Sequence, residues 1–416
     1  MITVQQKISG FFFPKAAWFG LVMMFGLPWS HAFFYIGLVG MLFCLAVSTA
    51  NYTDFLVACQ EKISLLALSL FLFIAIGALY THAPSDYAIF DLKKYRKLLL
   101  VPVFILLYQD LKWAKKLLAA YSLGVFCLIL PTLLDGTGLA NMLSLNMTKY
   151  RDGTYSTNTL VYWRNHIVNG FHASILFAIC VLTAIHGRRL MWVCIALAIL
   201  CVLDIVFFIH GRMALIALLS VSLYVALSCI SRPFFRLVPV GVLIFASVVA
   251  YQTSGKIQTR VNSVANEAGA FMADRNVETS GGSRLHYWGM SLALFAENPI
   301  FGAGPGSFRK SLDQPENPLK AQPHRHAHNE YLTQMSQHGL VGLILFLGLM
   351  LAVYQKAKSQ SDIWLRSVVT AGLVVFAVNA VTDSSLHNES EGWTFVLLAC
   401  LASIRRPATE LITADA

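Results

Sequence analysis

Charge is what this sequence has least of. Only 12% of its 416 residues are Asp, Glu, Lys or Arg, while 57% are apolar; soluble domains run near about 25% charged. That deficit excludes a soluble enzyme and marks a polytopic membrane protein. Cysteine is scarce where it would matter. All eight (Cys44, Cys59, Cys127, Cys180, Cys194, Cys201, Cys229 and Cys400) lie within or beside apolar blocks. This argues against a disulfide framework or a cysteine metal site in the polar segments. The net charge of +10 is no nucleic-acid footprint, because most Lys and Arg stand in short connectors, where they set topology or meet anionic lipid. The N-terminus shows no cleaved-signal pattern, so the first apolar block reads as a retained span.

A span needs roughly 17–25 apolar residues. About twelve blocks qualify: 16–30, 32–49, 63–80, 97–109, 115–134, 166–185, 190–209, 213–230, 235–252, 338–355, 365–382 and 393–404. The expected fold is therefore all-α, with about 12 transmembrane helices and one helical polar loop. Residues 1–252 carry spans one to nine, 253–337 the large loop, and 338–416 the last three spans and a tail. Basic connectors (Lys112, Lys115, Lys116, Arg188, Arg189, Arg232, Arg236, Lys356, Lys358, Arg405, Arg406) place the N-terminus inside and the loop outside. Segments 135–165 and 383–392 then also face out. DLKKYRK (Asp91 to Lys97) breaks the rule by falling outside. Lys94 and Arg96 are thus a candidate anion site, or else a snorkelling helix end.

The polar loop is where water and ionisable groups can meet. Ile257, Val261, Val264, Ala268 and Phe271 recur at helical spacing, which predicts an amphipathic helix. GGSRLHYWGMSLALFAENP predicts a second, with Ser283 as N-cap and Asn298-Pro299 as stop. GAGPGSF is a tight turn, since a phosphate cradle would need a preceding strand and a following lysine. HNEYLTQMSQ predicts a short helix running into Gly339 and the next span. The picture is a lid, or a vestibule wall, over the membrane mouth.

Several side chains carry chemistry. Arg212 stands between two apolar blocks with almost no connector, a costly place unless an anion or carboxylate meets it. Arg284 falls in the first turn of the second loop helix, whose N-terminal N–H groups also favour an anion. The arginine fork grips phosphate oxygens in a bidentate way. The pair points to a phosphate or pyrophosphate site, or to an Arg–Glu pair holding the loop down. His338 lies where a polar helix enters the membrane, placed for a general base or for interfacial packing; Tyr331 and Gln334 share its helical face. His324, His326 and His328 alternate, which invites a metal, but no carboxylate or cysteine lies nearby in a recognisable spacing, so loop-fixing hydrogen bonds are preferred. Asp204, mid-span, reads as a relay or an interhelical hydrogen bond. Asp383 ends a span and could orient a base or accept a hydroxyl.

NPIFGAGPGSF followed by HNEYLTQMSQHGLVGL, ahead of a late span, resembles the O-antigen ligase/polymerase superfamily of membrane glycosyltransferases, of GT-C type. The resemblance implies a bacterial inner-membrane enzyme that moves a glycan from an undecaprenyl-pyrophosphate carrier on the periplasmic side. The arginine at a span junction, Arg284 ahead of Trp288, and the histidine ending the loop look most like O-antigen ligases, which load lipid A–core. Polymerases of the superfamily often carry an acidic residue where this chain has Gln337-His338. Position by position, the resemblance nominates His338, Arg212 and Arg284 as catalytic. His328, Asn329, Tyr331, Asp383, Lys94 and Arg96 fall to substrate binding. It implies no cofactor, and the loop lacks a DxD metal motif. Rival readings are a polymerase, a protein O-oligosaccharyltransferase, and a transporter or flippase; the last usually binds at the midplane on broken helices.

Overall fold

A computed structural model describes residues 4–48, 52–136, 148–149, 155–156, 166–187, 189–209, 212–229, 237–253, 255–320, 322 and 326–404. Its regular structure is helical apart from a two-residue antiparallel pairing of Thr148–Lys149 with Tyr155–Ser156. An apolar chain in lipid has little alternative, because a helix satisfies its own backbone. In chain order the helices are α1 (Val4–Gly26), α2 (His31–Val47), α3 (Tyr52–Gln60), α4 (Lys62–Tyr80), α5 (Ser85–Tyr95), α6 (Val101–Leu107) and α7 (Leu111–Gly136). Then come α8 (His166–His186), α9 (Met191–Leu203), α10 (Arg212–Cys229), α11 (Leu237–Thr253), α12 (Gly255–Asp274) and α13 (Ser280–Glu297). The last are α14 (Ser307–Leu312), α15 (Glu330–Lys358), α16 (Ile363–Asn379) and α17 (Glu389–Ala402).

Among the described residues, five helices are long and apolar enough to cross a membrane: Lys62–Tyr80, Leu111–Leu134, His166–His186, Met191–Phe208 and Glu330–Lys358. Phe11–Gly26, His31–Val47, Arg212–Ser228 and Ile363–Asn379 are apolar but shorter. This is a multi-pass membrane protein. Its surface agrees: Trp18, Val39, Phe43, Leu72, Leu79, Trp192, Phe245 and Ile344 are all more than half exposed. Such a spread of bare apolar side chains needs lipid to cover it.

One expected span is a different object. Residues 97–109 form a 3₁₀ segment, Arg96–Leu100, and then α6, only 7 residues long with every residue buried. It is an internal plug, bonded to the last helix through Cys400 Sγ and the Phe104 carbonyl. Elsewhere helices meet closely over small residues, as membrane helices do. A Cβ on Gly37 of α2 would stand 2.3 Å from the Met23 backbone of α1. Asp204 gives a hydrogen-bonded crossing, its carboxylate accepting from Thr132 of α7.

The polar loop is α12, α13 and α14. It has its own small core of Tyr287, Phe308, Leu312, Leu319 and Ala327. The α13 cap is Thr279, accepting from the Gly282 N–H, rather than the expected Ser283. The helix starts four residues earlier than the cap rule suggested, and in its first turn Gly281 N–H donates to Glu267 of α12.

Candidate active site

The site is built on a helix that breaks. In α15, Gly339 has φ 64 and ψ −163, so its helical ladder is interrupted. The glycine-rich turn repairs the gap. Ala303 N–H donates to Ser336 O (3.0 Å) and Gly304 N–H to Gln337 O (2.9 Å). In return Leu340 and Val341 donate to Pro299 O and Ile300 O. Gly302, Gly304 and Gly306 all have positive φ, and a Cβ on Gly302 would lie 2.4 Å from the Gln337 carbonyl carbon. So the turn is a backbone splint, and only glycine lets it approach.

Beneath the splint lies a layer of buried polar groups. Gly306 N–H donates to Asp91 Oδ2 (2.8 Å) and Gln337 Oε1 (2.7 Å). The other Asp91 oxygen faces His387 Nε2 at 3.1 Å. Glu330 takes the backbone N–H groups of Leu386 (2.9 Å) and His387 (3.1 Å), and Gln334 Nε2 at 2.8 Å. Lys97, fully buried, gives its ammonium to the carbonyls of Leu386, His387 and Asn388. Connector 383–388 is thereby pinned from below by three charged side chains, and its conformation is set by them.

Above that layer stand the groups with room to react. His328 has φ 49, a left-handed conformation that costs a β-carbon residue free energy unless its surroundings impose it. Its Nδ1 lies 3.3 Å from Asp383 Oδ1, and its ring stacks over Tyr287 at 6.0 Å. Asp383 also accepts from Ser384 N–H. Burial works to raise the Asp383 carboxyl, but the His328 contact and charge, with the His326 charge, hold it well below the usual range. Arg284 shares the α13 face with Tyr287, three residues on. Its charged neighbours are Asp383, Arg212 and Glu267. Burial and then the Arg212 charge lower its proton affinity, against Asp383 and Glu267. Among the described residues Arg284 has no carboxylate at ion-pair distance, only Ser280 Oγ at 3.3 Å. Arg212, at the start of α10, pairs with Glu267 at 2.9 Å and Ser263 at 3.3 Å.

A half-buried cluster of two arginines and a histidine–aspartate pair is suited to holding an oxyanion beside a group that can take a proton. Residues 197–347 match the family described as O-Antigen ligase. The match covers 151 of the 416 residues, and over that stretch the chain is similar to the O-antigen ligase family. No curated protein matches the chain. The match supports a glycosyltransferase-like function of ligase or polymerase type in general terms. The O-antigen ligase stretch contains Arg212, Arg284, His328 and His338, whereas Asp91 and Asp383 lie outside it.

The remaining expected residues divide. His338 is 1% exposed, with its ring against Tyr95 at 5.8 Å. Its charged neighbours are Asp91 and His387, while those of Arg284 are Asp383, Arg212 and Glu267. His338 belongs to the buried layer; the structure brings Arg212, Arg284, His328 and Asp383 together without it. Tyr331 gives its hydroxyl to Ala377 O at 3.0 Å and packs on Phe346. Asn329 caps α15, accepting from Leu332 N–H at 3.0 Å. Arg96 is paired with Glu389 at 2.9 Å, and Lys94 lies over the Phe90 ring at 5.1 Å. Asp91, Glu267, Glu330, Lys97 and His387 were not singled out from the sequence. Of these, Asp91 and Lys97 had a signal, as the two ends of the out-of-place DLKKYRK run. His324 lies outside the described residues. The objection to a metal at the alternating histidines was the missing carboxylate, and the fold supplies one: His326, His328 and Asp383 present donor atoms within 4.8 Å of one another.

Proposed function

We propose that this chain is an O-antigen ligase, transferring O-antigen from undecaprenyl pyrophosphate to a sugar hydroxyl of lipid A–core. In this reading about twelve segments lie in the bacterial inner membrane, the loop 253–337 forms a lid, and the site faces the periplasm. The observation that carries the reading is the Arg284 fork, unpaired with any described carboxylate, beside Arg212 and the His328–Asp383 pair. The acceptor hydroxyl attacks the anomeric carbon, its C–O bond to the pyrophosphate breaks, and the lipid pyrophosphate leaves. His328 takes the hydroxyl proton, oriented by Asp383, and Arg284 with Arg212 meets the charge that grows on the leaving group. No metal takes part in the transfer. His328 is preferred to His338 as base because it is half-buried and next to the arginines, while His338 is 1% exposed and packed against Tyr95. Glu267 holds Arg212 until pyrophosphate displaces it.

The test is the lipopolysaccharide gel pattern of a strain lacking this gene, with and without the gene restored. Loss of all capped lipid A–core, with carrier-linked chains retained, is expected. Retention of single-repeat caps would instead make the chain a polymerase. An unchanged ladder with glycan missing from protein would make it a protein O-oligosaccharyltransferase.

A further inference from the structure

We propose that His326, His328 and Asp383 form a transition-metal site, and that Zn²⁺ bound there switches glycan transfer off by taking His328 out of proton transfer. The second half rests on the reading of His328 as base; the first does not.

The geometry is close to what zinc requires. A tetrahedral zinc with ligand bonds near 2.0–2.1 Å sets its donors about 3.3 Å apart. His328 Nδ1 and Asp383 Oδ1 already stand 3.3 Å apart, and one donor atom from each of the three residues fits within 4.8 Å. The rings of His326 and His328 approach to 4.5 Å between centroids, so modest side-chain rotation closes the triangle. Three protein ligands leave a fourth position for water. Both histidines are half-buried, which leaves an approach from solvent.

The donors have the support a ligand set needs. Asp383 is fixed by Ser384 N–H. His326 is wedged against His387 at 5.1 Å, itself held by Asp91 at 3.1 Å. His328 is kept in a left-handed conformation that presents its ring to Asp383. Two imidazoles and one carboxylate select zinc, copper or nickel over magnesium or calcium, which want oxygen cages.

The experiment uses the full-length protein in detergent. Zn²⁺ is titrated calorimetrically into the parent, His326→Gln and Asp383→Asn, each first checked for monodispersity and melting temperature. Co²⁺ serves as a spectroscopic stand-in, and Mg²⁺ as the control. One Zn²⁺ per chain is expected in the parent at micromolar affinity or tighter, weakened by at least about 100-fold in either variant. Visible Co²⁺ bands of a nitrogen–oxygen site should be lost in parallel. No stoichiometric Zn²⁺ in the parent, or parent-like affinity in folded His326→Gln, overturns the site. In the transfer assay, Zn²⁺ should inhibit the parent over the range in which it binds and leave His326→Gln active. Binding without inhibition overturns the switch and leaves the metal site standing.

Discussion

His328 Nδ1 and Asp383 Oδ1 meet at 3.3 Å across two connectors that the buried layer beneath them holds in place. The contact is the ground on which His328 is proposed as base in place of His338. Both sit near the loop–membrane junction in sequence, yet only His328 is half-exposed and next to a carboxylate and an arginine.

The first prediction separates them. His328→Asn, chosen because Asn tolerates the left-handed region, should reduce transfer by about 10²–10⁴-fold, the usual range for a lost general base. Its melting temperature should stay near the parent's. His338→Ala should instead lower stability by on the order of 2 kcal/mol, as a buried truncation, and leave residual transfer in proportion to folded protein. Transfer assayed at matched membrane levels, beside thermal melts, tells them apart. Full activity in His328→Asn would return the base to His338.

The pH profile follows from the Asp383 carboxyl, which His328 and His326 hold down against the effect of burial. A depressed carboxyl contributes stability that is complete above the ordinary value near about 3.9 and is lost as pH falls through its lower folded value. None of it is lost between about pH 5 and 8. An acid limb in that window therefore does not come from Asp383. Asp383→Asn removes the carboxylate that orients His328, so the maximal rate should fall. A parental rate in Asp383→Asn would show that Asp383 does not act through a histidine.

Much of the fold is legible in the chain because lipid leaves helices as the way to satisfy an apolar backbone. The blocks at 63–80, 166–185 and 338–355 reappear as long helices for that reason. Residues 97–109 misled because hydropathy cannot tell a lipid-facing span from a plug buried on all sides. The arginines stand out in the sequence, Arg212 at a junction and Arg284 near the start of a loop helix, although the helix begins at Ser280 and so carries Arg284 past its first turn. Glu330 and His387 do not, since the groups they hold lie far along the chain, Glu330 on Leu386 and His387 on Asp91. His338 shows the same limit: its position was visible, and the direction its ring faces was not.

The arginines give the third prediction. Arg284→Lys should cut turnover by about 10–100-fold with little change in melting temperature, because a point charge cannot reproduce the planar fork. Arg212→Lys should do the same and also loosen α12, since Arg212 binds both Ser263 and Glu267. Measured turnover within about twofold of parent in both would move the pyrophosphate clamp elsewhere, first to Lys94 and Arg96.

The splint predicts a purely structural failure. Gly302→Ala places a Cβ 2.4 Å from the Gln337 carbonyl carbon at φ 74, which neither backbone can absorb. Folded protein should be lost. Asp91→Asn keeps an acceptor for Gly306 but removes the charge facing His387, and should cost about 3 kcal/mol, the usual scale for breaking a buried pair. Thermal melts and membrane abundance measure both. A stable Gly302→Ala protein would mean the turn is free of the helix break.

The last prediction concerns metals. In the proposed reading Arg212 and Arg284 supply the positive charge that a pyrophosphate leaving group needs, with no carboxylate cluster for magnesium among the loop's described residues. Transfer by the purified protein should therefore survive exhaustive dialysis against EDTA. It should rise if the preparation carries zinc, since the chelator would free His328. Arg284→Ala should not be rescued by added Mg²⁺, because no described carboxylate set stands ready to hold the ion at that place. The measurement is initial rate before chelation, after it, and after readdition of Mg²⁺ or Zn²⁺. A rate abolished by EDTA and restored by Mg²⁺ would sink the metal-free mechanism outright. Restoration by Zn²⁺ alone would turn the His326–His328–Asp383 cluster from an inhibitory site into a catalytic one, and His328 from a base into a ligand.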